Sequence, residues 1–196
     1  MKKIKLTFFL LSLFVYSSIV FSQEDNSAQW EADVTHSNLG FKVKHKGISN
    51  TVGDFRDFDL HVTSSTDNFE KAEISLNIKA KSINTANESR DEHLRSSEFF
   101  DAGKYPEISF KSKKVTKQKE SDYLVFGDLT MHGVTKEIVL TMTHNGTAKA
   151  RDGRELAGLY FSTTFNRLDF QIGAGLPTEM VADQIELHAE IEIIKK

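Results

Sequence analysis

Acids, bases and an imidazole crowd together once in this chain, in the stretch Ser89 to Phe110, SRDEHLRSSEFFDAGKYPEISF. Arg90, Asp91, Glu92, His93 and Arg95 fall within six residues, so acid–base work by Asp91 or Glu92 with His93 has to be considered. A helix works against it. Successive helical residues point about 100° apart, so these neighbours do not converge on one substrate. Arg90 and His93 share a face, while Asp91 and Arg95 have the spacing of a simple i,i+4 ion pair. No Gly-x-Ser-x-Gly nucleophile setting and no phosphate-cradling glycine loop occurs anywhere in the sequence. A binding role for Arg90 and His93, with no catalytic residue, is the reading that survives.

The other histidines give no metal signature. His36, His45, His132 and His144 show neither His-x-His nor His-Glu-x-x-His spacing, and there is no cysteine to add a thiolate. No metal site and no cofactor is therefore expected. His61 and His188 fall on polar strand faces. His45 differs, because it shares a face with Leu39, Phe41 and Val43, where it is either a satisfied buried histidine or a polar contact inside a cavity.

The elements that must position these groups read as strand. Period-two alternation recurs almost to the C-terminus: Leu39, Phe41 and Val43; Phe58, Leu60 and Val62, with Phe55 out of phase as in a bulge; Ala72, Ile74, Leu76 and Ile78; and Ile185, Leu187, Ala189, Ile191 and Ile193. Further strands start near Trp30, Glu107, Tyr123, Lys136 and Leu156. Asn145-Gly146 and Asp152-Gly153 are both tight-hairpin signals. About eight or nine strands with one polar face each make an all-β antiparallel barrel or a sandwich. The one helix is short and lies near residues 90–100. A Ser89/Glu92 capping box starts it, Gly103 can end it with positive φ, and Pro106 separates it from the next strand.

Residues 1–22 read as a secretion signal: Lys2, Lys3 and Lys5, then an apolar run from Leu6 to Phe21, with cleavage expected after Ser22. Residues 23–196 then form one domain, led by a polar segment, 23–28, expected to be disordered. The whole chain carries a net charge of −3, and loss of the leader's lysines makes it more acidic. That balance disfavours nucleic acid as a partner and gives no reason to expect adhesion to an anionic membrane surface. After signal removal no integral membrane span remains, and the destination is periplasmic or secreted. The acidic strand faces are either solvated or form a homodimer contact.

The eleven phenylalanines beyond residue 22 leave the inward face open to two readings. It is either an ordinary aromatic core or an apolar tunnel, and periodicity does not separate them.

Several blocks, in order, resemble the YceI-like family: WEADVTHSNLG from Trp30, FKVKHKGIS, GDFRDF from Gly53, INTANESRDEHLRSSEFFDAGKYPEISF, GDLTMHGVTKEIVL and FNRLDFQIG. The resemblance implies an extended lipocalin-like antiparallel β-barrel, exported in bacteria. It further implies a long apolar ligand in the barrel, such as a polyisoprenoid, isoprenoid quinone or fatty amide, held for transport, storage or stress response. On that basis Phe41, Phe55, Phe58, Leu94, Phe99, Phe100, Phe110 and Phe126 are expected to line the ligand, with His45, Arg90 and His93 near its polar end. Asp33, His36 and Ser37 match a family trio read as a polar latch, and His132-Gly133 as a turn. The loop from Gln171 to Ala182 is the least constrained by the resemblance. Two competing readings are a solid-core interaction protein without ligand and an enzyme acting on an isoprenoid lipid.

Overall fold

The computed structural model describes residues 27–65 and 68–196. The secretion signal expected over residues 1–22 lies outside the described residues. Strands β1 (Ser27–Ala32), β2 (Asn38–His45), β3 (Ser49–Phe55), β4 (Phe58–Ser65) and β5 (Asn68–Lys79) come first. A two-residue strand β6 (Ile83–Asn84) and the helix α1 (Glu88–Arg95) follow. The chain finishes with β7 (Glu107–Lys117), β8 (Asp122–Met131), β9 (Val134–Lys149), β10 (Glu155–Asn166) and β11 (Val181–Lys195). Ser27 and Ala28 are already strand, with Ala28 buried. The disorder expected over 23–28 therefore does not hold at Ser27 and Ala28, and residues 23–26 lie outside the described residues.

All the pairings are antiparallel, and β11 closes the sheet. Its end pairs with β1 (Trp30 opposite Lys195) and the rest of it with β2 (Leu187 opposite Phe41). β1 and β2 therefore lie end to end along one edge of β11, interrupted by a 3-10 turn at Val34–His36. β4 pairs with β1 and β3 with β2, joined by a bend at 56–57, so these also act as one long strand. Counted this way the ring is a closed eight-stranded barrel. The ladder between β3 and β5 is missing. β6 pairs with Asp54 and Phe55 there, and α1 packs beside it.

Local details differ from the sequence pattern for identifiable reasons. Phe55 is not a bulge; it ends β3, and Phe58 begins β4 after the bend. Asn145-Gly146 makes no hairpin. It sits inside β9, where Gly158 faces Gly146 and Leu159 faces His144, leaving Asn145 as the extra residue of a β-bulge. The two-residue hairpin is His132-Gly133, both in the left-handed region, with Met131 opposite Val134. The helix is capped two residues before the expected position, because Asn87 accepts from the Arg90 N–H at 3.0 Å. It ends at Ser96, whose N–H and hydroxyl both donate to the His93 carbonyl. Gly103 plays no part in that ending and has no positive φ.

Candidate functional site

Along the barrel axis the interior changes character. At the end where β1 and β4 pair, Trp30, Val62, Phe69, Tyr123, Val125, Met142, Leu159 and Ile193 are all 2 % exposed or less and fill the lumen. Trp30, Phe69 and Tyr123 interlock, with ring centroids 6.2 and 6.4 Å apart. Towards β2, β3 and α1 the same strands enclose a cavity of about 360 Å³, within the range of small-molecule sites. The division runs through individual strands. On β10 Leu159 is in the solid end and Phe161 lines the cavity; on β11 the same holds for Ile193 and Ile191.

The wall is overwhelmingly Leu, Ile, Val, Met and Phe. Polar side chains are few: His45, Thr51, Arg90 and His93 on the hairpin and helix side, Ser162, Thr163 and His188 on β10 and β11, and Arg167. Phe41, His45, Arg90, His93, Leu94, Phe99, Phe100 and Phe110, all singled out in the sequence, come together on this wall. Three others do not. Phe55 stands behind it, packed against Phe41 and Phe100 with centroids 6.0 and 5.8 Å away. Phe58 is buried in the sheet but off the cavity. Phe126 is on the wrong face: Tyr123, Val125, Leu129 and Met131 are the inward residues of β8, which turns Phe126 outward.

The helix is held by polar bonds to the segment before it. Asp91 is buried and accepts from the Thr85 N–H at 2.9 Å and its hydroxyl at 2.5 Å. It makes no ion pair with Arg95, which instead donates to the Lys81 and Ile83 carbonyls and to Glu88. Arg90 donates to the Thr85 hydroxyl and carbonyl. His93 Nε2 lies 2.6 Å from Glu98 Oε2, and its ring meets Phe99 edge-on at 5.0 Å. These bonds aim Leu94, Phe99 and Phe100 at the cavity, while Arg90 and His93 stay exposed at its mouth.

Sequence reasoning missed the residue that shapes the opposite rim. Arg167 is 2 % exposed. Its guanidinium donates to the carbonyls of Ile172, Gly173, Leu176, Val181 and Ala182 and to Asp183, so one side chain folds the loop that ends at β11. Ile172, Leu176 and Met180 of that loop complete the wall. The available signal was a lone arginine before a glycine-rich, irregular stretch.

The Asp33, His36 and Ser37 trio sits at the seam where β11 changes partner from β1 to β2. Thr35 donates its N–H and hydroxyl to Asp33 Oδ1, and His36 Nδ1 lies 3.0 Å from Asp33 Oδ2. The Ser37 hydroxyl donates to the Asp33 carbonyl and accepts from the Glu192 N–H. Asp33 is held down to about 2, first by the Thr35 hydroxyl and then by the His36 ring. His36 is raised above its ordinary value, chiefly by its hydrogen bond with Asp33. Glu192 completes a group whose ligand atoms all lie within 4.8 Å of one another. Spacing along the chain could not show that grouping.

Among the described residues the class is a closed antiparallel barrel with an apolar cavity and a sparsely polar mouth. The chain belongs to the YceI-like family, whose domain model matches residues 30–193. It is 37% identical over 162 residues to a UPF0312 protein of Pseudomonas putida, covering 82% of each chain. With a UPF0312 protein of Staphylococcus aureus it shares 34% over 165 residues, covering 82% of this chain and 94% of the relative. Among solved structures, the Campylobacter jejuni YCEI protein superposes with a TM-score of 0.73 at 36% identity, covering 84% of this chain and 96% of that one. A polyisoprenoid binding domain from Saccharophagus degradans shares the fold, with a TM-score of 0.62 at 19% identity and coverage of 85% and 98%.

Proposed function

We propose that this protein is an exported binding protein that holds one long apolar lipid, of the polyisoprenoid, isoprenoid quinone or fatty amide class, in the hollow half of its barrel. The observation that carries the reading is the cavity itself: about 360 Å³ walled almost entirely by hydrocarbon, with few polar groups. Such a site needs no charge pairing to bind. Each CH₂ moved from water into it gains about 0.8 kcal/mol, against the cost of ordering chain and ligand. The Saccharophagus degradans relative, named as a polyisoprenoid binding domain, supports the class of ligand through the shared fold.

Binding without turnover fits the rim. Arg90 is committed to Thr85 and His93 to Glu98, and Asp91 is buried against Thr85, so these polar groups are engaged in holding the helix. Export is read from residues 1–22. It is tested by cell fractionation with N-terminal sequencing, where a mature protein starting at Gln23 in the envelope fraction is the expected result.

The ligand is tested by native mass spectrometry of the protein from Gln23 onward, purified without detergent. A stoichiometric apolar adduct, lost on solvent extraction, is expected. A bare polypeptide mass, unchanged after incubation with isoprenoid quinones and polyprenyl phosphates, overturns the reading.

A further inference from the structure

We propose that the tip of the β2–β3 hairpin is a docking element for an anionic lipid bilayer, placed so that the cavity mouth opens at the membrane surface. The proposal deepens the lipid-binding reading and rests on it for its purpose. The tip is a tight turn: Lys46 and Gly47 both take positive φ, and the Ile48 N–H donates to the His45 carbonyl at 3.2 Å. That geometry throws Ile48 outward. It is 88% exposed, more than any other large hydrophobic residue among those described.

A single exposed apolar side chain is ordinary, but Ile48 has company. The Lys46 N–H donates to the Met180 carbonyl at 3.0 Å, which ties the hairpin to the loop held by Arg167, and Met180 is itself 43% exposed. Val43, His45 and Thr51 of the hairpin and Met180 of the loop all line the cavity. The exposed tip therefore borders the mouth, which α1 also helps to form.

Charge is segregated in the same place. From Asn38 to Gly53 the chain carries Lys42, Lys44 and Lys46 and no acid until Asp54, in a protein whose overall charge is −3. Lys42 is engaged with Glu186 at 2.7 Å; Lys44 and Lys46 are exposed on the hairpin. Glu179, exposed beside Met180, is the acid on the neighbouring loop that opposes them. An apolar tip flanked by lysines on an otherwise acidic protein matches a surface that is anionic outside and hydrocarbon within. Each signal alone gives weak adhesion, and together they give reversible binding.

The test is co-sedimentation of the protein from Gln23 onward with vesicles of phosphatidylethanolamine, with and without phosphatidylglycerol. Every strand among the described residues lies within 27–196, and wild type and variants share one N-terminus. Wild type is expected to bind the phosphatidylglycerol vesicles and to be released by salt, because the lysine contribution is screened. Lys44→Gln with Lys46→Gln is expected to weaken partitioning about thirtyfold, from roughly fivefold per lysine. Ile48→Ser is expected to weaken it roughly tenfold. None of the three residues lines the cavity, so lipid loading by native mass spectrometry stays at the wild-type level.

Wild-type protein that ignores the vesicles, or variants that bind them equally well, overturns the docking proposal. Self-association abolished by Ile48→Ser, without vesicle binding, assigns the tip to a second copy of the chain and also overturns it. Loaded protein that does not dock defeats this inference alone; protein that docks but never carries a lipid upholds the inference and defeats the binding reading.

Discussion

The two halves of the barrel are made by the same strands with the same alternation, yet one is solid and the other hollow. In the solid half large rings reach across the lumen, and Trp30, Phe69 and Tyr123 meet one another. In the hollow half two rings lie along the wall. Phe41 is paired across the ladder with Gly53, where a Cβ would come within 2.5 Å of its ring, and Phe110 lies over Gly127 in the same way. Glycine there gives a ring room to fold back over the neighbouring strand. The second difference is the gap in the ladder between β3 and β5, which β6 and α1 occupy. A cavity therefore depends on where side chains lie and how the ring is closed, and not on the alternation, which both halves share.

The sharpest way to break this comparison is to remove the same side chain from each half. Leu159→Ala, in the solid half, is expected to cost about 3–5 kcal/mol, because the hole it leaves cannot collapse. Leu187→Ala removes a half-buried side chain that already faces space and is expected to cost about 1 kcal/mol. Urea unfolding of the two variants decides; equal losses would erase the distinction.

Next in size is the conversion of hollow towards solid. In Gly53→Ala the new methyl meets Phe41 ring atoms and the Thr85 methyl, all side chain, so the Phe41 ring should swing into the lumen. Lipid occupancy by native mass spectrometry is expected to fall severalfold, for a stability change of about 1–2 kcal/mol. Full occupancy in this variant would show that Gly53 does not keep the lumen open.

The seam between the halves should titrate. Asp33, lowered from its ordinary 3.8 to about 2, stabilises the fold at pH above its unfolded value, and that contribution is lost as pH falls through about 2. His36, raised above 6.5, contributes below its unfolded value and loses the contribution as pH rises through the higher folded value. The urea midpoint should therefore drop slightly as pH rises from 6 to 8 in wild type and lose that slope in His36→Gln. Asp33→Asn should flatten the decline between pH 4 and 2. A His36→Gln profile identical to wild type would remove the latch from the account.

The smallest expected effect is spectroscopic. Trp30 is the sole tryptophan and lies in the solid half, off the cavity wall. Its emission should scarcely change on lipid loading, and a large shift would mean that ligand reaches the solid half.

Much of the fold was legible because alternation states which way each side chain leaves its own strand. That rule placed Leu39, Phe41, Leu60, Ile74 and the β11 series on the inner face, and it would have turned Phe126 outward had Gly127 not left a blank in the β8 pattern. Local chemistry was legible to within a turn. Asn87 and Ser89 are both competent caps, and the bonds of Asp91 and Arg90 to Thr85 accompany the earlier one. The bulge at Asn145 was not legible, since Asn-Gly serves a turn and a bulge equally well and only the register with β10 distinguishes them.

By itself the sequence determined the antiparallel β class, the single short helix, the apolar inner face and the family, because all of these rest on local direction, local caps and motif order. Only the tertiary structure decided that the inner face is half core and half cavity, that Arg167 folds the rim, and that Glu192 stands beside Asp33 and His36. The physical reason is that each of these depends on what lies opposite. Opposition across a closed eight-stranded ring is set by pairings between strands far apart in the chain, which no local pattern encodes.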